Sequence, residues 1–229
     1  MNLLSDFFSL FFPKTCMACG NSLYRNEEMI CTQCLFHLPK TNFHLEKINP
    51  VSKVFWGRTN IEMATALYFY RKESKVQTLI HHLKYHGNQE IGVFLGQLYG
   101  GQLKDSEYFK DVDVVIPIPL HKDKLKKRGF NQAESFASGL AETMKAIIDT
   151  TSVYRDIATS TQTKKSRYKR WENVSEIFKI KETTALENKH VLIVDDVITT
   201  GATMEACINT LNTVEGIKVS VAAIAFAAH

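Results

Sequence analysis

Two adjacent carboxylates and a hydroxyl-rich loop make up the segment of the chain that is best equipped for chemistry. The apolar run Val191–Val194 leads straight into Asp195 and Asp196, and a loop with one glycine, Gly201, follows. The hydroxyl donors in this loop belong to Thr199, Thr200 and Thr203. A helical pattern comes next, so the loop leads to a helix N-terminus, where free backbone N–H groups and the helix dipole bind phosphate. We therefore expect a phosphate-binding loop.

The two acids restrict what this loop binds. Carboxylates beside a bound phosphate repel it unless they contact hydroxyl groups of the ligand or a divalent cation. A sugar phosphate with vicinal hydroxyls, bound together with Mg²⁺, satisfies both conditions. The Gly-Lys-Ser/Thr pattern of the Walker loop does not occur in the chain. A phosphate loop of some other kind remains the alternative.

A second group of reactive residues lies near the N-terminus. Its four cysteines are spaced Cys-x2-Cys-x11-Cys-x2-Cys, namely Cys16, Cys19, Cys31 and Cys34. Two short Cys-x2-Cys turns can place four thiolates around one tetrahedral Zn²⁺, and a closed site of this type is structural. Two disulfides in a secreted protein are the alternative, but the apolar segment Met1–Phe12 lacks a basic start and a cleavage site. We therefore expect zinc and a cytoplasmic protein.

The segment before the cysteines has the spacing of an amphipathic helix that ends at Pro13. Its apolar residues are Leu3, Leu4, Phe7, Phe8 and Phe11. Docking on the domain is favoured over lying on a membrane, because the polar side lacks the lysines and arginines typical of interfacial helices. No stretch approaches the ~20 apolar residues that a transmembrane helix needs.

The acid and threonine segment and the four cysteines must be positioned by the elements around them, and the chain shows alternating strand and helix patterns. Strands are predicted at Ala64–Tyr70, Val112–Ile118, Ser152–Ile157, His190–Val194 and Val219–Phe226. Helices are predicted at Val76–Tyr85, Ile91–Leu103, Asn131–Ile148 and Thr203–Thr213. This alternation indicates an α/β fold with a parallel sheet covered by helices on both faces, and ligands then bind at the carboxyl ends of the strands. At 229 residues, the chain has room for a helix and zinc module over 1–48 and one larger domain over 49–229.

The positive charge is concentrated in two windows. His121–Arg128 carries +4 and Lys164–Arg170 carries +5, whereas the whole chain carries only +4, so the remainder is acidic. This distribution indicates a focused anion site rather than a broad basic surface.

The segment Val191–Thr203 resembles the 13-residue motif of the type I phosphoribosyltransferases that binds 5-phosphoribosyl-1-pyrophosphate (PRPP). The resemblance implies that Asp195 and Asp196 contact the ribose hydroxyls, the second through metal and water. It also implies that the loop wraps the 5-phosphate with Thr199, Thr200, Gly201, Ala202 and Thr203. Mg²⁺ would be bound with PRPP.

Further segments are similar to the ComF family, which is linked to natural competence and DNA uptake. They are Ile116–His121, Arg128–Gln132, the four cysteines, Phe11–Pro13 and the stretch from His82 to Gly87. The resemblance implies that backbone amides near Leu120 and His121, with Arg128, bind the diphosphate. The basic insert also fits the family pattern, through Gln162, Arg167, Arg170 and Asn173, and its arginines would close over the leaving group as a cationic lid.

The resemblance implies a type I phosphoribosyltransferase-like protein that binds PRPP and acts in DNA uptake, with Asp195, Asp196 and Arg128 at the reacting centre. Lys84 is placed with the PRPP-binding residues, and Lys84 and Tyr85 are candidates for contact with the acceptor. A salvage or biosynthetic phosphoribosyltransferase is one alternative. A single-stranded-DNA-binding adaptor without turnover is another, and DNA and other uptake proteins are then the partners.

Overall fold

The computed structural model describes residues 13–85, 87–155 and 177–228. The predicted N-terminal helix and the insert with Gln162, Arg167, Arg170 and Asn173 therefore lie outside the described residues. The helices are α1 (Thr32–His37), α2 (Pro50–Lys53), α3 (Lys75–Tyr85), α4 (Gln89–Leu103), α5 (Lys122–Arg128), α6 (Gln132–Met144) and α7 (Ala202–Leu211). The strands are β1 (Ala64–Phe69), β2 (Val114–Pro117), β3 (Ile147–Ile148), β4 (Val153–Arg155), β5 (Phe178–Ile180), β6 (His190–Ile198) and β7 (Lys218–Phe226).

Five of these strands form one parallel sheet in the order β1-β7-β6-β2-β3. Strand β6 lies at its centre, between β7 and β2, and its residues Val191–Val194 are fully buried, alternating between the two faces. Strands β4 and β5 form a separate antiparallel pair. The predicted α/β fold, with a parallel sheet flanked by helices, is confirmed.

Helices cover the two faces of the sheet with separate hydrophobic clusters. On one face, α3, α4 and α6 pack against Leu192 and Val194 of β6. On the other face, α2 and α7 pack against Val191 and Ile193. Helices α4 and α6 approach so closely that a Cβ on Gly139 would lie 2.1 Å from the carbonyl oxygen of Val93, so only glycine fits there. Successive residues of β6 therefore face different helices.

The largest shifts in the ends of the predicted elements are found in two of them. The helix predicted over Asn131–Ile148 ends at Met144, and Ile147 and Ile148 instead pair with β2 as an edge strand. The chain turns at Lys145, which takes a left-handed conformation with φ of 59°. Strand β6 was predicted to end at Val194 but continues to Ile198. Both differences follow from strand pairing, with β2 for Ile147 and Ile148 and with β7 for the end of β6.

The cysteine-containing segment packs on the sheet domain rather than apart from it. Cys16, Cys31 and Cys34 belong to the same buried cluster as Val76 and Leu79 of α3. After α1, the chain follows the edge strand β1, where the backbone N–H of Phe69 donates to the Pro39 carbonyl oxygen at 2.9 Å. The proposed boundary between 48 and 49 stays a prediction.

Candidate active site and metal centre

The two acids lie inside β6, at its carboxyl end. Asp195 is paired with Ala223 of β7, and the pairing continues to Ile198, opposite Phe226. The acids are thus held by the sheet ladder on the β7 side rather than in the loop that follows. Their backbone positions are consequently fixed before any ligand binds.

Asp195 and Asp196 point to opposite faces of the sheet, as adjacent strand residues do. Asp196 faces α3, where its Oδ2 lies 2.9 Å from the ammonium nitrogen of Lys84. Asp195 faces α7, and its Oδ1 accepts a hydrogen bond of 2.8 Å from the Asp196 backbone N–H. Desolvation, followed by the charge of Asp196, raises the pKa of Asp195 above its ordinary value. The adjacent acids therefore have different environments, which their spacing in the sequence did not reveal.

Residues 199–203, the threonine loop, form a small cradle beside Asp195. A cavity of about 50 Å³ is lined by Asp195 and by residues 197–204. Gly201 caps the N-terminus of α7 with φ of 71°, a left-handed conformation that favours glycine. A Cβ at this position would also lie 2.7 Å from Cγ1 of Val54. The loop thus presents the N-terminus of α7, with threonine side chains that are exposed to solvent.

Arg58 supports the threonine loop from outside. Its Nη1 donates to the carbonyl oxygen of Thr200 at 2.8 Å and to that of Val54 at 3.0 Å, and its Nη2 forms an ion pair with Glu205. The guanidinium group therefore ties the loop to the segment after α2 and to the first turn of α7. Sequence analysis missed this residue, and no local signal could have found it, because 142 positions separate it from Thr200.

The loop after β2 lies next to the acids because β2 pairs with β6. The backbone N–H of Ile118 donates to the Val194 carbonyl oxygen at 2.9 Å. The side-chain amide of Asn131 donates to the Ile118 carbonyl oxygen at 3.0 Å and so ties the start of α6 to this loop. Leu120 follows, and His121 caps α5 by accepting a hydrogen bond from the Asp123 backbone N–H. The fold thus brings the predicted diphosphate segment to the β2 side of β6.

A larger cavity of about 550 Å³, called here the α3 cavity, opens on the other side of β6. Its walls are formed by Tyr70, Gln77, Ile80, His81, Lys84, Tyr85, Asp196, Val197 and Thr199. The rings of His81 and Tyr85 lie 4.7 Å apart, and the Arg128 guanidinium lies 5.8 Å from the centre of the Tyr85 ring. Lys84 and Tyr85 of α3 therefore line one opening together with Asp196 of β6, and Arg128 contacts its wall through the ring of Tyr85.

The four cysteines form a second centre, the cysteine cluster. All four are free thiols, and their sulfur atoms lie within 4.8 Å of one another. Cys19 Sγ and Cys31 Sγ are 3.8 Å apart, which equals the separation of about 3.8 Å expected for two ligands with Zn–S bonds of about 2.3 Å in a tetrahedron. Backbone N–H groups of Ala18 and Cys31 donate to Cys16 Sγ at 3.4 and 3.3 Å. The cluster can therefore hold a metal ion, and the donor set fits zinc.

Comparison with known proteins identifies the family to which this fold belongs. The family model of the phosphoribosyl transferase domain matches residues 101–229, which include β2, β6 and the threonine loop. The chain belongs to this family. Within the described residues, no helix has the length and apolar character needed to cross a membrane.

Relatives of this phosphoribosyl transferase domain protein cover most of its length. The DNA utilization protein YhgH of Shigella flexneri is 28% identical over 82% of this chain and 80% of its own. The competence protein ComFC of Bacillus subtilis is 26% identical over 80% of this chain and 77% of its own. These relatives confirm the resemblance to the ComF family, so the chain is a ComF-family phosphoribosyltransferase-like protein.

Solved structures of several phosphoribosyltransferases are also similar. Adenine phosphoribosyltransferase from Leishmania tarentolae is 10% identical, with a TM-score of 0.39, over 82% of this chain and 94% of that one. The PRPP amidotransferase of B. subtilis is 18% identical, with a TM-score of 0.42, over 62% of this chain and 30% of that one.

Proposed function

We propose that the protein binds PRPP together with Mg²⁺ at the carboxyl end of β6, and that it acts in DNA uptake. The observation that carries the first part is the threonine loop: it opens α7 directly beside two carboxylates held in the central strand. The helix N-terminus suits a phosphate monoester, and the carboxylates suit the hydroxyls of its sugar. The second part is supported by the relatives, which are called a DNA utilization protein and a competence protein.

We propose the following arrangement of the ligand around β6, which follows the resemblance and agrees with the positions of these residues. The 5-phosphate lies in the threonine loop, and Asp195 and Asp196 contact the ribose hydroxyls. The diphosphate extends toward the β2 side, where the backbone near Leu120 and His121 and the Arg128 guanidinium bind it. Mg²⁺ would neutralise the diphosphate as the bond to the anomeric carbon breaks. Arg167 and Arg170, outside the described residues, are proposed to add positive charge over the same group.

The α3 cavity supports group transfer to an acceptor. In a displacement at the anomeric carbon, the nucleophile enters opposite the leaving group. With the diphosphate on the β2 side of β6, an acceptor enters from the side of α3 and β1, where this cavity lies. Its aromatic walls, from Tyr70, His81 and Tyr85, suit a planar nitrogen-containing acceptor. A phosphoribosyltransferase with a nucleobase or amine acceptor is therefore the second candidate function.

Calorimetry with PRPP and Mg²⁺ tests the binding site. Replacing Asp195 and Asp196 together by Asn should weaken PRPP binding by about 100-fold or more, since two charge-assisted contacts are lost. The control is Asp105→Asn with Glu107→Gln, which removes the same charge from an exposed loop. Unchanged affinity in the Asp195 and Asp196 variant would refute the site. A screen for pyrophosphate release over nucleobases and amines then tests turnover.

The cysteine cluster is proposed to hold structural zinc, because four thiolates leave no open position for a substrate. A cytoplasmic location and direct binding of single-stranded DNA remain predictions from the sequence.

A further inference from the structure

The ion pair between Lys84 and Asp196 differs from an ordinary surface pair. The two charged atoms are 2.9 Å apart, and the side chains are only 21% and 12% exposed. The pair between Lys189 and Asp113, at the other end of the sheet, is 3.9 Å long with side chains 46% and 44% exposed. Lys84 therefore gives up much of its hydration to reach this one carboxylate.

Stability alone is a weak reason for such a pair. Burying an ammonium and a carboxylate costs hydration free energy that their attraction barely offsets, and apolar residues of similar volume serve at least as well. Lys84 is in the last turn of α3, and its stem could pack there without a charged end. The position of the ammonium group is better explained by a ligand bound at the carboxyl end of β6, where Lys84 is paired with Asp196.

A ligand with a phosphate and a diphosphate meets an electrostatic problem at this site. Asp195 and Asp196 repel it, and a positive charge must stand between the carboxylates and the ligand. Lys84 is already paired with Asp196 in this way. An ammonium group has three N–H donors, and one contact to Asp196 leaves donors for hydroxyl or phosphate oxygens of a ligand.

We propose that the ammonium group of Lys84 serves as a permanent cation of the PRPP site. At Asp196 it supplies part of the charge neutralisation that a bound divalent ion would otherwise supply. The protein then binds PRPP with a substantial component that needs no metal. Mg²⁺ would add to this affinity at the diphosphate, and in a protein without Lys84 it would also take over the charge neutralisation at Asp196. This inference rests on the proposed function, since it concerns how the same ligand is held.

The test is calorimetric titration of the full-length protein with PRPP, once in EDTA and once in excess Mg²⁺. The variants are Lys84→Met, Lys84→Arg and, as the matched control, Lys189→Met. The parent and the control should bind PRPP in EDTA with an affinity within about tenfold of that in Mg²⁺. Lys84→Met should lose a further factor of about ten or more in EDTA and recover most of it in Mg²⁺, whereas Lys84→Arg should keep the metal-independent component.

The outcomes separate the two proposals. Equal ratios of affinity in Mg²⁺ and in EDTA for the parent and Lys84→Met would overturn the role of Lys84 and leave PRPP binding intact. Tighter binding of PRPP by Lys84→Met would also overturn it, because Lys84 would then compete with the ligand for Asp196. Absence of PRPP binding by the parent in Mg²⁺ would overturn the proposed function, and this inference with it.

A second variant is available if Lys84→Met does not fold. Lys84→Met combined with Asp196→Asn removes both charges of the pair. Binding of PRPP in EDTA by this double variant with the affinity of the parent would refute the inference.

Discussion

The cysteine cluster and the carboxyl end of β6 are assembled in different ways. The four cysteines of the cluster all come from residues 16–34, on two short turns and the start of α1. The strand-end site combines α3, the loop after β2 and β6, with Lys84 and Asp196 more than a hundred positions apart. Residues close in sequence can specify a metal site by their spacing, whereas residues far apart meet only when the sheet has formed.

The two centres also depend on different forces. A structural metal contributes directly to folding, because its ligands come together only around it. The strand-end site needs no metal for its shape, since the pairing of β6 with β7 and β2 holds it. If this contrast is correct, damage to the cluster should unfold the protein, and damage to the strand end should mainly change binding.

The largest effect is expected for Cys34→Ser. Cys34 is 1% exposed and shares a buried cluster with Val76 and Leu79, so losing the metal should also loosen the packing of α3. We expect zinc content to fall from one ion per chain to none and the free energy of unfolding to drop by about 3 kcal/mol or more. Elemental analysis and thermal unfolding measure both quantities.

Cys207→Ala is the matched control for this change. Cys207 is a fully buried thiol in α7, distant in sequence from the cluster, and its loss should leave the zinc content unchanged. A Cys34→Ser protein with full zinc content and parental stability would contradict the interpretation of the cluster.

An intermediate effect is expected for Gly201→Ala. The left-handed conformation and the close approach of Val54 should cost about 2 kcal/mol of stability and distort the threonine loop, so PRPP binding should weaken as well. Urea unfolding and calorimetry with PRPP measure the two effects.

Gly101→Ala is the control for this change. Gly101 lies in α4, and a Cβ there would have no neighbouring atom within 4 Å, so the variant should be neutral or more stable by about 0.5 kcal/mol. Equal stability of the two variants would show that the loop is not constrained as described.

The smallest effect is expected for Asp195→Asn, and it should depend on pH. Desolvation and Asp196 raise the pKa of Asp195 in the folded protein above its ordinary 3.8, so the folded state holds its proton to higher pH than the unfolded state does. The free energy of unfolding of the parent therefore falls as pH rises above 3.8, and Asn removes this loss. We expect the variant to be more stable than the parent by about 1 kcal/mol at pH ~8, and equally stable below the ordinary pKa.

Urea unfolding over a pH series measures this difference. Asp105→Asn, at an exposed position, should show no such dependence. A parent and an Asp195→Asn variant whose stabilities run parallel at every pH would contradict the described environment of Asp195.

Much of the fold could be predicted because its signals are local. The apolar runs of β1, β2, β6 and β7 and the amphipathic patterns of α3, α4 and α6 mark their elements, with ends shifted by a few residues. Strand β6 continues to Ile198 although the prediction ended it at Val194, and the β-branched residues Val197 and Ile198 could have indicated the longer strand. The edge strand of Ile147 and Ile148 could not be predicted, because it exists through its pairing with β2.

In the candidate site, too, some features could be predicted from local sequence and others could not. The threonine loop and Lys84 were identified from the sequence, whereas the support of the loop by Arg58 was missed. That both acids contact one ligand stays a prediction, and the sequence did not indicate which neighbours each acid has. The structure turns Asp196 toward Lys84 and Asp195 toward α7, because adjacent residues of a strand point to opposite faces.

The sequence by itself determined the clustering of the four cysteines, the threonine loop and the alternation of strands and helices. Each depends on residues within one turn, one loop or one element, where spacing dictates geometry. Only the tertiary structure decided which cation meets which carboxylate, how Arg58 holds the loop and where the α3 cavity opens. These contacts depend on the order of strands in the sheet and on the face that each side chain takes, and both are fixed by packing between distant segments.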